Sequence, residues 1–341
     1  LNTVTLTGNI ATSGNNSQGI YLANSDSNTI NITGDISTSG TDGESEGIAL
    51  KNSDFNTFNI AGKVESTGGD EAIRVDSTSG ANTFNLNTGS NVIGGFNNTG
   101  FYTVITNQGT IDTLTNSGNI TTFDNSGSIS TIRNIGSINT FNNSETTSLL
   151  TNLGSIDTLT NSGTVSSFNN LGTNTLLSNT GNLGTLANTG GITEINNSGN
   201  ISTILNVRGS IGDIINSDTM GLLSNSGAIT SVSNSGTITT FTNLSEILSV
   251  ANSGTITTLN NLESGLEFSE TLPVNYNVIF RNQGANYGKL FVTSASGSTE
   301  LNIATISNVQ TGIYKNLITG VSSEKIINKT GTLNGDGISS V

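Results

Sequence analysis

The sequence contains no Cys, no His and no Trp. A disulfide, a thiolate centre, a Ser-His-Asp triad and a His-ligated metal are therefore excluded, and chemistry has to be sought among carboxylates. The densest acidic group is Asp42, Glu44 and Glu46, answered one repeat later by Asp70 and Glu71. These residues fall in equivalent loops of consecutive repeats, so stacking could bring them together as a weak cation site or a paired-carboxylate glycosidase centre. The preferred reading is plainer: solvated loops that keep the molecule soluble and offer contacts to a partner. The lack of Trp also removes the aromatic face on which a sugar ring often rests.

The elements that position these loops follow from composition. Of 341 residues only 10% are charged, well under the usual quarter, while Asn, Ser, Thr and Gly dominate and Pro occurs once. The net charge of −14, with ten Lys and Arg and no basic patch, disfavours nucleic acid and anionic membranes as partners. No stretch approaches the ~18 apolar residues of a membrane helix, and the first residues do not read as a leader, so the chain is expected to be mature or trimmed. The absence of Cys suits secretion without disulfides as well as a cytosolic life.

Two internal periods set the architecture. Over residues 1–103 the repeat is 26 to 28 residues: "NTVTLTGNIATSGNNSQGIYLANS" from Asn2 is answered from Asn28, from Asn56 and in part from Asn82. Each copy holds short alternating stretches divided by turn formers, which predicts about three strands and one β-solenoid coil per copy. Over 104–266 the period is nine, as in "TLTNSGNITTFDNSGSIS", giving eighteen units counted from Val104, one of them a residue longer. Position two is apolar and position four is Asn in every unit; position six is usually Gly and position eight apolar apart from Thr147, Asn174 and Gly265.

If side chains alternate, positions two, four, six and eight face inward, and the chain bends at positions nine and one. Asn107, Asn116, Asn125, Asn134, Asn143, Asn152 and Asn161 would then stack as an amide ladder, as Asn does in other stacked β-structures. The alternative is a corner Asn satisfied by its own local bond, with Asn and Gly supplying left-handed backbone at the corner. Position five is apolar at Ile135, Leu153, Leu171, Val207, Leu244 and Leu262, all in even-numbered units. That parity predicts an 18-residue coil of two unlike halves, so nine coils would form a rod of about 43 Å. The six residues form either an outward contact stripe or, as preferred here, an inward extension of the core at an Asn-Ser-Gly corner.

Beyond Leu266 the nine-residue pattern stops and aromatics gather in "YNVIFRNQGANYGKLFVTSASGSTELNIA" and "TGIYKNLITGV", so 267–341 is expected to be a β-rich segment covering exposed strand edges. These stretches, above all "NYGKLFVT", together with the "NSGTIT" repeats, resemble the passenger domains of bacterial autotransporters. The resemblance implies a right-handed parallel β-helix with a C-terminal, autochaperone-like cap. It also implies export by a type V route to the cell surface or medium, and adhesion to a protein or glycan at a cell surface. Membrane attachment would then come only through a C-terminal barrel that this sequence lacks. No family active site transfers, since the Gly-Asp-Ser-Gly motif is missing. The expectation is therefore an all-β adhesin or structural stalk, non-enzymatic and without cofactor or metal, with self-association along the rod a further option. The alternative is a glycan-processing or tailspike-like β-helix using carboxylates. A calcium β-roll is disfavoured by sparse carboxylates over 104–266, and an ice-binding face by the irregular outward positions.

Overall fold

The computed structural model describes residues 2–41, 43–281, 286–309, 313–328, 332–334 and 338–340. The chain is all-β, its parallel sheets stacked as a β-solenoid of about 11 turns. It divides into two compact units, residues 1–175 and 176–341.

In the first unit each wide coil carries three short strands, for example Thr29–Ile32, Ile36–Thr38 and Ile48–Lys51. Like residues stack on like: Ile30, Phe58, Phe84, Ile105, Phe123 and Phe141 form one continuous inward column. Phe58 and Phe84 stack at 4.9 Å between ring centroids, as do Phe123 and Phe141, a distance set by the ~4.8 Å spacing of strands. Wide coils become narrow ones when two strands fuse. Asn91–Ile93 and Phe96–Asn98, separated only by Gly94 and Gly95, both pair with the single strand Thr110–Asn116. That strand and its successors skip a register partner at position nine, as at Asp112 and Thr121, which is the bend that two successive outward residues require.

Strands pair with the next but one in sequence, so two nine-residue units make one coil, as the parity of position five predicts. Ile129 is buried and Ser128 exposed, in agreement with the expected facing. The Asn side chains are buried and bonded coil to coil. Asn116 Nδ2 donates to Asn134 Oδ1 at 2.8 Å, Asn134 to Asn152 at 2.8 Å and Asn152 to Asn170 at 2.9 Å. On the opposite sheet Asn107 donates to Asn125, Asn125 to Asn143 and Asn143 to Asn161, at 2.8, 2.7 and 2.8 Å. The local reading holds as well: Asn134 Nδ2 reaches Gly136 O at 3.3 Å and, in the next coil, Ser155 O at 2.8 Å. One amide thus closes its own corner and ties it to the following one.

The structure corrects the reason for glycine at position six. These residues do not sit in the left-handed region, and neither do the ladder asparagines. A Cβ on Gly136 would lie 2.0 Å from Gly118 O, and one on Gly154 2.0 Å from Gly136 O, so glycine is there because the corners of adjacent coils approach too closely for a side chain. Glycine is not obligatory at this position in every unit, Glu145 being one exception. Two of the three exceptions at position eight are internally bonded: Thr147 Oγ1 donates to Asn143 Oδ1 at 2.9 Å, and Asn174 Nδ2 to Ile156 O at 3.1 Å.

The second unit repeats this plan. Its ladders run Asn179–Asn197–Asn216–Asn234–Asn252 and Asn188–Asn206–Asn225–Asn243–Asn261. The single ten-residue unit does not break them, because Arg208 adopts φ 63° and bulges the extra residue out of the corner. Parallel stacking continues past Leu266, through Leu266–Thr271 with Leu290–Ser296 and Asn275–Val278 with Thr299–Ile303. Backbone carbonyls close the ladders: Asn252 Nδ2 donates to Thr271 O at 2.7 Å, and Asn261 Nδ2 to Glu263 O at 2.9 Å. Asn261 also approaches the hydroxyl of Tyr276, whose complete burial pushes its pKa far up. Phe280, Tyr287 and Tyr314 cluster beyond.

Asn134→Ala would strand the Asn116 amide, Asn152 Oδ1 and Ser155 O together, an expected loss of about 2–4 kcal/mol. Asn134→Asp should lose more, because a carboxylate cannot donate and would be charged among buried carbonyls. Exposed Ser128→Ala should stay within about 0.5 kcal/mol. Denaturant titration of the three variants checks the ordering. A second prediction concerns Glu263, whose Oε2 accepts from Asn243 Nδ2 at 2.9 Å and from Ile247 N at 3.0 Å. Burial raises its pKa, outweighing the lowering by those two hydrogen bonds. A carboxyl whose folded pKa lies above its unfolded value loses stability as pH rises through that interval and carries no handicap below it. Glu263→Gln, which keeps an acceptor, should therefore melt higher than wild type at pH 7 and coincide with it below about pH 3.5. An equal destabilisation at both pH values would contradict the assignment.

Candidate functional site

The regular coils present little that is individual on their surface; side chains of mixed chemistry converge where the wide coils carry loops of unequal length. The loops between the second and third strands span 13–19, 39–47, 67–72 and 94–95 in successive coils. The longest, 39–47, overhangs the coil after it. There the Asp70 carboxylate accepts the Ser45 backbone N–H at 2.9 Å, and Arg74 Nη1 donates to Gly43 O at 3.4 Å. The overhang closes one side of a cleft of about 290 Å³.

The floor of the cleft is an outward column. Tyr21, Ala49 and Arg74 are register partners in three consecutive coils, alternating with the inward column Ile20, Ile48 and Ile73. Tyr21 is about half exposed, whereas Ala49, though on the outward face, is buried. A methyl group between a phenol ring and a guanidinium leaves the gap that forms the cleft. Glu46 lines it at only 2% exposure, with Oε1 2.7 Å from Arg74 Nη1. That hydrogen bond is the main cause holding the Arg74 guanidinium above its already high pKa, with the charge of Glu46 adding to it. Glu46 Oε2 is buried and has no hydrogen-bond partner. Exposed Glu44 and Lys51 and half-buried Asp76 complete the charged rim with Asn16 and Gln18 beside them.

The acidic residues singled out from sequence therefore separate. Glu44 and Glu46 share the cleft, while Asp70 is occupied in docking the overhanging loop. Glu71 accepts from Asn97 Nδ2 at 2.8 Å and lines a different depression beside Gly95 and Asp112. Asp42 lies outside the described residues. The loops do approach each other, as expected, but among the described residues no three carboxylates converge on one point. The partner of the buried carboxylate is a guanidinium, not a second carboxyl. Sequence reasoning missed Tyr21, Ala49 and Arg74. Their signal is the alignment of "GIYLANS", "GIALKNS" and "AIRVDS", which puts the three in one column.

The position-five residues also divide. Ile135, Leu153 and Leu171 are 42, 40 and 53% exposed in the first unit, and Val207 44% in the second. The preferred inward reading is overturned for these four, because the corner bends the backbone while the side chain keeps its outward direction. In the first unit Ile135 lines a shallow furrow together with exposed Phe101. Leu262 is buried against Ile279 and Ala304, with Leu244 packed on them, so for these two the stripe is covered by later chain. The asparagines Asn107 to Asn161 are fully engaged in the ladder and face no solvent. No family model, curated protein or solved structure matches this chain.

Proposed function

We propose that the chain is a non-catalytic binding and display scaffold, an autotransporter-like passenger held at a bacterial cell surface or secreted, that attaches to a protein or glycan on another surface. The observation that carries this reading is the division of labour along the chain. The Asn ladders consume the repeat units in making a uniform stack, while irregular polar, charged and aromatic side chains meet in one lateral cleft. A recognition surface built from loops on a rigid scaffold is a common arrangement. The exposed Ile135, Leu153 and Leu171 offer a further contact line, suited to self-association.

The pairing of Glu46 with Arg74 favours binding over hydrolysis. Glycosidic cleavage needs two carboxyl groups flanking one bond, about 5–9.5 Å apart, and among the described residues the group bonded to the Glu46 carboxylate is a cation. Labelled protein applied to cultured cells and immobilised matrix should bind saturably, with no rise in reducing ends when it is incubated with polysaccharides. Release of reducing sugar that disappears in Glu46→Gln would overturn this reading in favour of a glycan-processing enzyme.

A further inference from the structure

Resting on the binding reading above and naming its ligand, we propose that the cleft bounded by Tyr21, Ala49, Glu46 and Arg74 binds one unit of an uncharged saccharide. Glu46 Oε2 would accept from a sugar hydroxyl, Arg74 would donate to a neighbouring oxygen, and the Tyr21 ring would cover the apolar face of the sugar.

The argument starts from Glu46, a residue that is 2% exposed and lines a cleft that opens to solvent, and whose Oε2 is buried and unpartnered. Such an atom costs free energy until a donor reaches it. Three kinds of group could meet it: a metal ion, a cationic donor, or a neutral O–H or N–H donor. A metal is disfavoured because no three carboxylates converge among the described residues, and hard cations take six or more oxygen ligands. A second organic cation would have to approach a carboxylate whose other oxygen already holds Arg74 at 2.7 Å. An anionic ligand fares no better, since the cleft carries three carboxylates, Glu44, Glu46 and Asp76, against two cations, Lys51 and Arg74. A neutral polyol matches what remains: a buried acceptor, a guanidinium with several donors in a fixed fork, and an amphipathic ring.

Dimensions agree. Tyr21 and Arg74 stand two strands apart, about 9.6 Å between backbones, with only the Ala49 methyl between them. The volume of about 290 Å³ lies at the small end of ligand pockets, in keeping with a single sugar unit rather than an extended chain. Arg74 is held before any ligand arrives, by Glu46 Oε1 and Gly43 O, so little side-chain freedom is lost on binding.

The test uses the full chain and immobilised methyl glycosides of glucose, galactose, mannose and N-acetylglucosamine, with sialyllactose and calcium chloride as charged controls. At least one neutral glycoside is expected to bind, with sialyllactose weaker and calcium without effect. Tyr21→Ala, on an exposed strand position, should lower affinity at least tenfold while leaving the melting temperature close to wild type, and Ala49→Leu, which fills the cleft, should lower affinity at least tenfold as well. Glu46→Gln should also weaken binding. No neutral glycoside bound, or binding indifferent to both Tyr21→Ala and Ala49→Leu, would overturn the proposal. Attachment of the protein to cells that survives in these two variants would overturn the cleft assignment and leave the binding scaffold standing; no attachment of wild type to any surface would remove both.

Discussion

A primary amide placed on a β-strand that stacks in register meets its own copy one strand spacing away, and that coincidence of lengths governs this molecule. The carboxamide donates through nitrogen and accepts through oxygen on opposite sides. A column of buried asparagines at ~4.8 Å intervals can therefore satisfy itself without water. Each amide here does so at 2.7–2.9 Å through the first unit's narrow coils. From Asn116 to Asn152 the same amide nitrogen also reaches a backbone carbonyl of the next coil, as from Asn116 to Ser137 at 3.0 Å. The corners are buried turns whose carbonyls would otherwise lack partners. The wide coils use the same device with different residues: Asn28 bonds Asn56 Oδ1 through both its backbone N–H and its amide, and the outward Asn31, Asn59 and Asn85 form a parallel ladder at 2.8 Å.

Much of this was legible in the sequence, because a stacked fold writes its geometry into its period. The recurrence of Asn at position four, the inward pair at positions two and eight and the parity of Ile135, Leu153 and Leu171 together gave an 18-residue coil with the correct faces. Two features were misread for one physical reason. From sequence the corner reads as a conformational problem, to be solved by left-handed glycine and by turning position five inward. It is instead a problem of approach distance: Gly136 is bare because Gly118 O is 2.0 Å from where a Cβ would stand, and Ile135 keeps pointing out.

The cleft was less legible, since no repeat encodes it. It arises from the mismatch between the 39–47 loop and its neighbours, and from a substitution pattern across coils, Tyr21 over Ala49 over Arg74, that has meaning only once the register is known. Carboxylates drew attention to the right loop, but the residue that matters there is Glu46, whose neighbour is a guanidinium. Asp70, equally conspicuous in sequence, is a tether for the overhang. In a repeat protein the departures from the repeat are where function is to be sought, and here they fall next to a cleft that the stacking leaves open.

The ladder itself is most directly tested by hydrogen exchange of the side-chain amides in uniformly ¹⁵N-labelled protein. If the amides are bonded coil to coil in a dry interior, the Nδ2 protons of Asn116, Asn125, Asn134 and Asn143 will exchange orders of magnitude more slowly than those of a free asparagine, and as slowly as the backbone amides of Ile129 and Ile132 beside them. Exchange at the rate of an unprotected carboxamide, with those backbone amides still protected, would contradict the claim that the asparagine ladder holds the coils together.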